Sequence, residues 1–191
     1  MHRTFARALA SLVILLLIAG PVLYAFHEQA QMRNFRIVRE GILYRSAQMK
    51  LPGLKRAVHD YGIRTVVSLR DATTADDRAE EEYCRKEEMN FFRLPPRTWD
   101  TTNGPAAAEE NVRKFREIIA DSKNYPILVH CFAGIHRTGA YVAVYRMERE
   151  HWTNEEAIGE VKACGYENLG EELDILTYLE NYRPTWKPAG R

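Results

Sequence analysis

Cysteine is scarce in this chain of 191 residues: only Cys84, Cys131 and Cys164 are present. An odd count with no framework spacing excludes a fold held by disulfides. No Cys-x-x-Cys or His-x3-His pair occurs, so a zinc site of the usual spacings is excluded as well. Charge of one sign is also missing, with 27 basic residues facing 26 acidic ones for a net charge of +1. That balance gives no footing for a nucleic-acid partner, and there is no acidic tail. Internal repeats and low-complexity stretches are absent too. What remains is an ordinary globular composition, 46% hydrophobic and 28% charged, at a length that suits one domain.

The one long apolar run comes first. Ala8 to Phe26 are 19 consecutive residues without a charge. At about 1.5 Å per residue they nearly span the roughly 30 Å of a bilayer core. The expectation is one N-terminal transmembrane helix, with anchor and linker over 1–30, and membrane localisation through it. Arg3 and Arg7 before the run favour export of the chain that follows it, whereas Arg33, Arg36 and Arg39 after it mix the signal. The alternative is export after cleavage of a signal peptide. Leu23 at the −3 position of a site after Ala25 is large, and Pro21 blocks cleavage after Gly20. These features favour the uncleaved anchor.

The chemistry sits in His130-Cys131-Phe132-Ala133-Gly134-Ile135-His136-Arg137-Thr138-Gly139. An apolar run, Ile127-Leu128-Val129, precedes it and a helical pattern, Ala140 to Glu150, follows. A cysteine at a strand-to-helix turn faces unpaired backbone N–H groups and the positive end of the helix dipole, which favour the thiolate. The N–H groups from Phe132 through Arg137 can bind the oxygens of a phosphate. Arg137 can close the ring with a bidentate fork. Gly134 lets the backbone turn without a Cβ in the way. Thr138 can donate its hydroxyl to the sulfur and ease its departure. Cys131 is thereby the candidate nucleophile, with Phe132, Ala133, Gly134, Ile135, His136 and Arg137 as substrate-binding residues. His130 is expected to orient the loop through hydrogen bonds. For His136 two readings stand: charge near the substrate, or a side chain in solvent.

His130-Cys131-x5-Arg137-Thr138-Gly139 resembles the signature loop of the cysteine-dependent protein tyrosine and dual-specificity phosphatases. Gly41-Ile42-Leu43-Tyr44-Arg45-Ser46-Ala47-Gln48, followed by Gly62-Ile63-Arg64-Thr65-Val66-Val67-Ser68-Leu69-Arg70, is similar to the opening of the small atypical members. The Gly-x-His-Arg-Thr-Gly form of the loop is similar to their plant-and-fungal branch. The resemblance covers roughly residues 35 to 183. It implies a phosphomonoester hydrolase acting through phosphocysteine, with no metal and no cofactor.

Such a reaction needs a general acid for the leaving oxygen. The candidate is Asp100, 31 residues before Cys131, in a turn-rich stretch after the strand-like run Asn90 to Leu94. The resemblance supports it, because Trp99-Asp100 is similar to the family's Trp-Pro-Asp loop without the proline. The bland reading makes Asp100 a solvated residue or a cap for a helix starting near Pro105. Asp71, Asp76 and Asp77 are the other acid candidates, read first as turn and N-cap residues of the next helix. Arg45 is read as a salt-bridge partner within the sheet, or else as a neighbour of the phosphate site. Cys84 and Cys164 are read as packing residues.

Strand-like runs at 42–45, 65–69, 90–94 and 127–130 alternate with helical patterns at 51–61, 75–89, 106–122, 138–150, 154–163 and 171–182. This alternation predicts an α/β fold with a central, mostly parallel sheet of four to five strands flanked by helices. Residues 31–185 form the expected phosphatase domain and 186–191 a tail. The loop has no lysine among its variable positions, unlike inositol-phosphate-type loops. The expected substrate is therefore a singly phosphorylated group such as phosphotyrosine on a protein, with Phe132 and Ile135 as apolar walls. A phosphoinositide, inositol phosphate or phospholipid is the alternative, the lipid because the anchor would hold the site near a bilayer. A second class, a catalytically inactive phospho-binding module, is disfavoured because Cys131, Arg137 and Thr138 are all present.

Overall fold

The computed structural model describes residues 13–21, 31–102, 104–166 and 173–187. Among them one five-stranded sheet runs in the order β1-β2-β5-β3-β4. The strands are β1 (Arg36–Arg39), β2 (Leu43–Ala47), β3 (Thr65–Ser68), β4 (Asn90–Arg93) and β5 (Ile127–Cys131). Only β1 and β2 pair antiparallel; the other pairs are parallel. β3 and β5 are short apolar runs buried along their whole length, the pattern of strands covered on both faces. β5 is the central strand, so its last residue, Cys131, emerges at the middle of the sheet's carboxyl edge.

Successive side chains of β3 and β5 point to opposite faces. Val67, Ile127 and Val129 join the larger core, and Val66 and Leu128 join the smaller one. α1 (Leu51–Tyr61) and α2 (Ala75–Lys86) cover the smaller core through Leu54, Ala57 and Cys84. The larger core receives α3 (Glu109–Ala120), α4 (His136–Arg149), α5 (Asn154–Ala163) and α6 (Leu173–Asn181). Within α4 every residue from Thr138 to Glu148 is buried. Each fully buried Val- or Leu-sized side chain contributes about 1.5–3 kcal/mol, so this helix is a rigid mount for the loop at its head. α2 and α5 start with capping boxes, Thr74 with Asp77 and Thr153 with Glu156.

Three expectations need correction. The first strand-like run was expected at 42–45, but a strand, β1, precedes it. Its Arg-Ile-Val-Arg sequence buries only Val38, as suits a short, charged edge strand. Helix α4 starts at His136 rather than Thr138, which brings His136 and Arg137 into its first turn. The membrane anchor is overturned. The described part of the run, 13–21, is a helix of nine residues, and among the described residues no helix is long and apolar enough to cross a membrane. At about 1.5 Å per residue it reaches less than half of a bilayer core. The remaining anchor residues, 8–12 and 22–26, lie outside the described residues, as do 171–172 of the last expected helix.

Candidate active site

Cys131 ends β5 and is 2% exposed. Its sulfur accepts a hydrogen bond from the Gly134 N–H at 3.3 Å. The backbone curls tightly here, with Gly134 at φ +71°, and a Cβ on Gly134 would lie 2.4 Å from the backbone of Ser46 and Ala47. Glycine is therefore required both by conformation and by space. Helix α4 begins directly after the loop, with Ile135 as N-cap and no acidic residue in its first turn. Its head is left open to an external anion.

Neighbouring strands grip the loop. The Gln48 N–H donates to the Phe132 carbonyl at 3.2 Å, and the Leu69 N–H donates to the His130 carbonyl at 2.8 Å. Arg137 donates from Nη1 to the Leu69 carbonyl at 2.5 Å. Arg45 is buried beneath the loop at 2% exposure and donates to the Gly134 carbonyl at 2.8 Å. It lies beside the phosphate loop, and no carboxylate pairs with it among the described residues. Its Nε and Nη1 are likewise unpartnered among them. Burial pushes its pKa below the ordinary guanidinium value. Asn34, on the approach to β1, donates its amide to the Ala133 carbonyl at 3.1 Å and the Gly134 carbonyl at 3.4 Å.

A second shell of charge lies on α2. The His130 ring is 2.9 Å from the Glu80 carboxylate, both nearly inaccessible, but is not aligned for a hydrogen bond with it. Asp77 is fully buried and accepts from Arg70 at 2.7 and 3.2 Å, from Gln48 at 2.7 Å and from Thr74. Burial opposes its ionisation, but these bonds prevail and hold the carboxyl well below the usual carboxylate range. Asp77 is thus a buried structural group, while Asp71 and Asp76 are exposed. Arg70, positioned by Asp77, and Arg33 flank the exposed Phe132 ring at 5.3 and 5.6 Å. Arg33, Gln48, Lys50, Asp76 and Phe132 line a cavity of about 420 Å³ beside the loop.

The remaining residues fall into place around this centre. Phe132 stands at the mouth, whereas Ile135 is half-buried against the larger core. The exposed His136 stacks on the buried Tyr166 ring at 4.1 Å. The Thr138 hydroxyl is buried and has no hydrogen-bond partner among the described residues, so its bond to the sulfur is not formed in this state. Asp100 is anchored through its neighbour: Trp99 is buried edge-on against Tyr141 of α4 and Tyr178 of α6, at 5.7 and 4.9 Å. The Asp100 carboxylate accepts from the Thr102 hydroxyl and N–H, which hold it below the usual carboxylate range. Cys84, by contrast with Cys131, sits in the smaller core, and burial pushes its thiol up to about 12.

Asn34, Gln48, Glu80 and the cationic rim were not found by sequence reasoning. They lie far from the loop in the chain and carry no local motif.

A mixed α/β sheet with a cysteine at the end of its central strand, and an arginine in the first turn of the next helix, defines a domain of the tyrosine and dual-specificity phosphatase class. The chain belongs to the family described as "DSP-PTPase phosphatase fused to NAD+ Kinase", whose model matches residues 23–173. It is 25% identical over 142 residues to the tyrosine-protein phosphatase-like protein OCA2 of Saccharomyces cerevisiae, covering 72% of this chain and 68% of that one. The fold is similar to the crystal structure of Pseudomonas aeruginosa TpbA, with TM-score 0.61, 24% identity and coverage of 79% of this chain and 86% of that one. It is also similar to the core catalytic domain of the PP-IP phosphatase SIW14 of S. cerevisiae, with TM-score 0.63, 20% identity and coverage of 80% and 86%. The chain spans 12%, 68% and 57% of the lengths of the first three curated relatives it matches.

Proposed function

We propose that the protein hydrolyses phosphate monoesters through a phosphocysteine on Cys131, as a tyrosine or dual-specificity phosphatase. The observation that carries this reading is the N–H of Gly134 on the Cys131 sulfur, at the head of a buried helix with no acid in its first turn. In the first step the thiolate attacks phosphorus, the ester P–O bond breaks, and Asp100 gives its proton to the leaving oxygen. Loop N–H groups and the guanidinium of Arg137 hold the three peripheral oxygens, which carry the developing charge. In the second step Asp100 takes a proton from water. The water oxygen displaces sulfur, and inorganic phosphate leaves. The thiolate is recovered, and Thr138 donates to it as the P–S bond breaks.

The bond to Thr102 bears on the first step. A carboxyl held below its usual range is ionised at neutral pH, so Asp100 must leave that turn to carry a proton. Apo geometry of a catalytic group often tightens only with substrate bound.

The apolar mouth at Phe132 suits a phosphotyrosine side chain. A second reading, an inositol phosphate or pyrophosphate, is favoured by Arg33 and Arg70 beside Phe132, cations additional to Arg137 of the loop. Turnover of the full chain on phosphopeptides, inositol phosphates and phosphatidyl phosphates separates the two, and highest turnover on inositol polyphosphates would establish the second. Cys131→Ser tests the shared chemistry. Turnover is expected to disappear while vanadate still binds, and surviving turnover would remove Cys131 from the reaction.

A further inference from the structure

A loop whose N–H groups converge on one point must turn its carbonyls outward, and those carbonyls then need donors of their own. In the Cys131 loop three carbonyls are met from outside: Phe132 by the Gln48 N–H at 3.2 Å, and the next two by side chains. Ala133 accepts from Asn34 at 3.1 Å, and Gly134 accepts from Arg45 at 2.8 Å and Asn34 at 3.4 Å. On the inner side of the same residue, the Gly134 N–H points to the sulfur.

Asn34 reaches the loop across about a hundred residues of chain, and its placement is overdetermined. Its backbone is left-handed at φ +50°, uncommon for a residue other than glycine though tolerated best by asparagine. Arg33 before it accepts the Ala47 N–H at 2.9 Å. Phe35 after it closes a turn on the Met32 carbonyl and packs its ring against Tyr44 and Tyr61. Arg36 donates to the Asn34 side-chain oxygen at 3.2 Å, so the oxygen is occupied and the NH2 group is the end that faces the loop. A left-handed residue held this firmly is the kind of local strain that clusters at functional sites.

We infer that Asn34 is a positioning residue for the reaction: its amide holds the Ala133 and Gly134 carbonyls outward and keeps the loop's N–H groups aimed at the bound oxyanion. The inference rests on the reading of the Cys131 loop as a phosphate site. Asn34 never touches substrate. Arg45 grips the same carbonyl from below, but it is a buried charge whose removal disturbs the core, whereas Asn34 is half-buried and can be exchanged cleanly.

Two variants of the full chain test this. Asn34→Asp keeps the shape and the oxygen but loses both donors. Asn34→Gly loses the donors without adding charge and accepts the left-handed backbone. Both are expected to weaken vanadate binding about tenfold and to lower kcat/KM on p-nitrophenyl phosphate by a similar factor. The loss of about one or two hydrogen bonds should shift the thermal midpoint by only about 2–8 °C. Parent-like vanadate affinity in both variants overturns the inference. A loss in Asn34→Asp alone also overturns it, because the effect is then the added charge and not the missing donors. A parent protein that neither binds vanadate nor turns over substrate overturns the phosphate-site reading itself, and the inference with it.

Discussion

The loop around Cys131 is tied down from several sides: Asn34, Gln48, Leu69 and Arg45 all bond to its backbone, and α4 beyond it is buried. The loop around Asp100 hangs on one aromatic anchor, Trp99, and among the described residues the carboxylate meets only its own turn at Thr102. The nucleophile and the oxyanion donors have to sit within tenths of an ångström of the phosphorus, so preorganisation there is rewarded directly. The acid must reach the leaving oxygen only after substrate has entered, and a segment that can move suits that task. On the proposed mechanism, the two loops differ in attachment because they act at different moments.

The comparison breaks most visibly at Asp100. Asp100→Asn should lower kcat on alkyl phosphates about a hundredfold or more, the scale of general acid catalysis. Activated aryl esters, whose leaving groups need no proton, should lose far less, and vanadate affinity and thermal stability should stay at parent values. An unchanged ratio between alkyl and aryl esters would take the acid role away from Asp100.

On the other side, Asp77→Asn should cost about 2–3 kcal/mol of stability at neutral pH, since Arg70 and Gln48 lose a buried charged partner. The sign follows from the depressed folded pKa. The carboxylate's contribution is fully present above an unfolded value of about 3.9 and is lost as pH falls below it toward the folded value. Denaturation of parent and variant should therefore differ most near pH 7 and converge in acid. A difference that does not change with pH would mean that packing, not charge, is what Asp77 supplies.

The smallest effect is expected at Thr102. Its hydroxyl lowers the Asp100 pKa, so Thr102→Val should move the basic limb of the kcat/KM profile, which reports the free enzyme, to higher pH. A limb that stays in place would show that Thr102 does not hold the Asp100 carboxylate in the free enzyme.

Much of this architecture is readable from local sequence. β3 and β5 announce themselves as β-branched runs, and Gly134 is required at its turn. The alternation of strand and helix predicts the parallel core, and the spacing from Cys131 to Arg137 marks the loop. The N-terminal apolar run misled: hydropathy predicts a 19-residue span, whereas the described helix covers 13–21. β1 escaped because an edge strand of four residues, mostly exposed, has no hydrophobic period to read. Arg45 was read first as a sheet salt bridge, because nothing near it in the chain shows that its donor ends on the Gly134 carbonyl.

The sequence alone marked the candidate nucleophile, the candidate phosphate-binding arginine and the alternation of strands and helices after β1, because these depend on residues within one turn or one strand of each other. Only the tertiary structure decided which side chains hold the loop, that Asp77 is a buried pillar and not an acid, and that Arg33 and Arg70 charge a mouth whose own residues are neutral. Those contacts join residues tens of positions apart. Parallel strands bring them together through crossovers, and no local pattern encodes a partner that arrives from another strand.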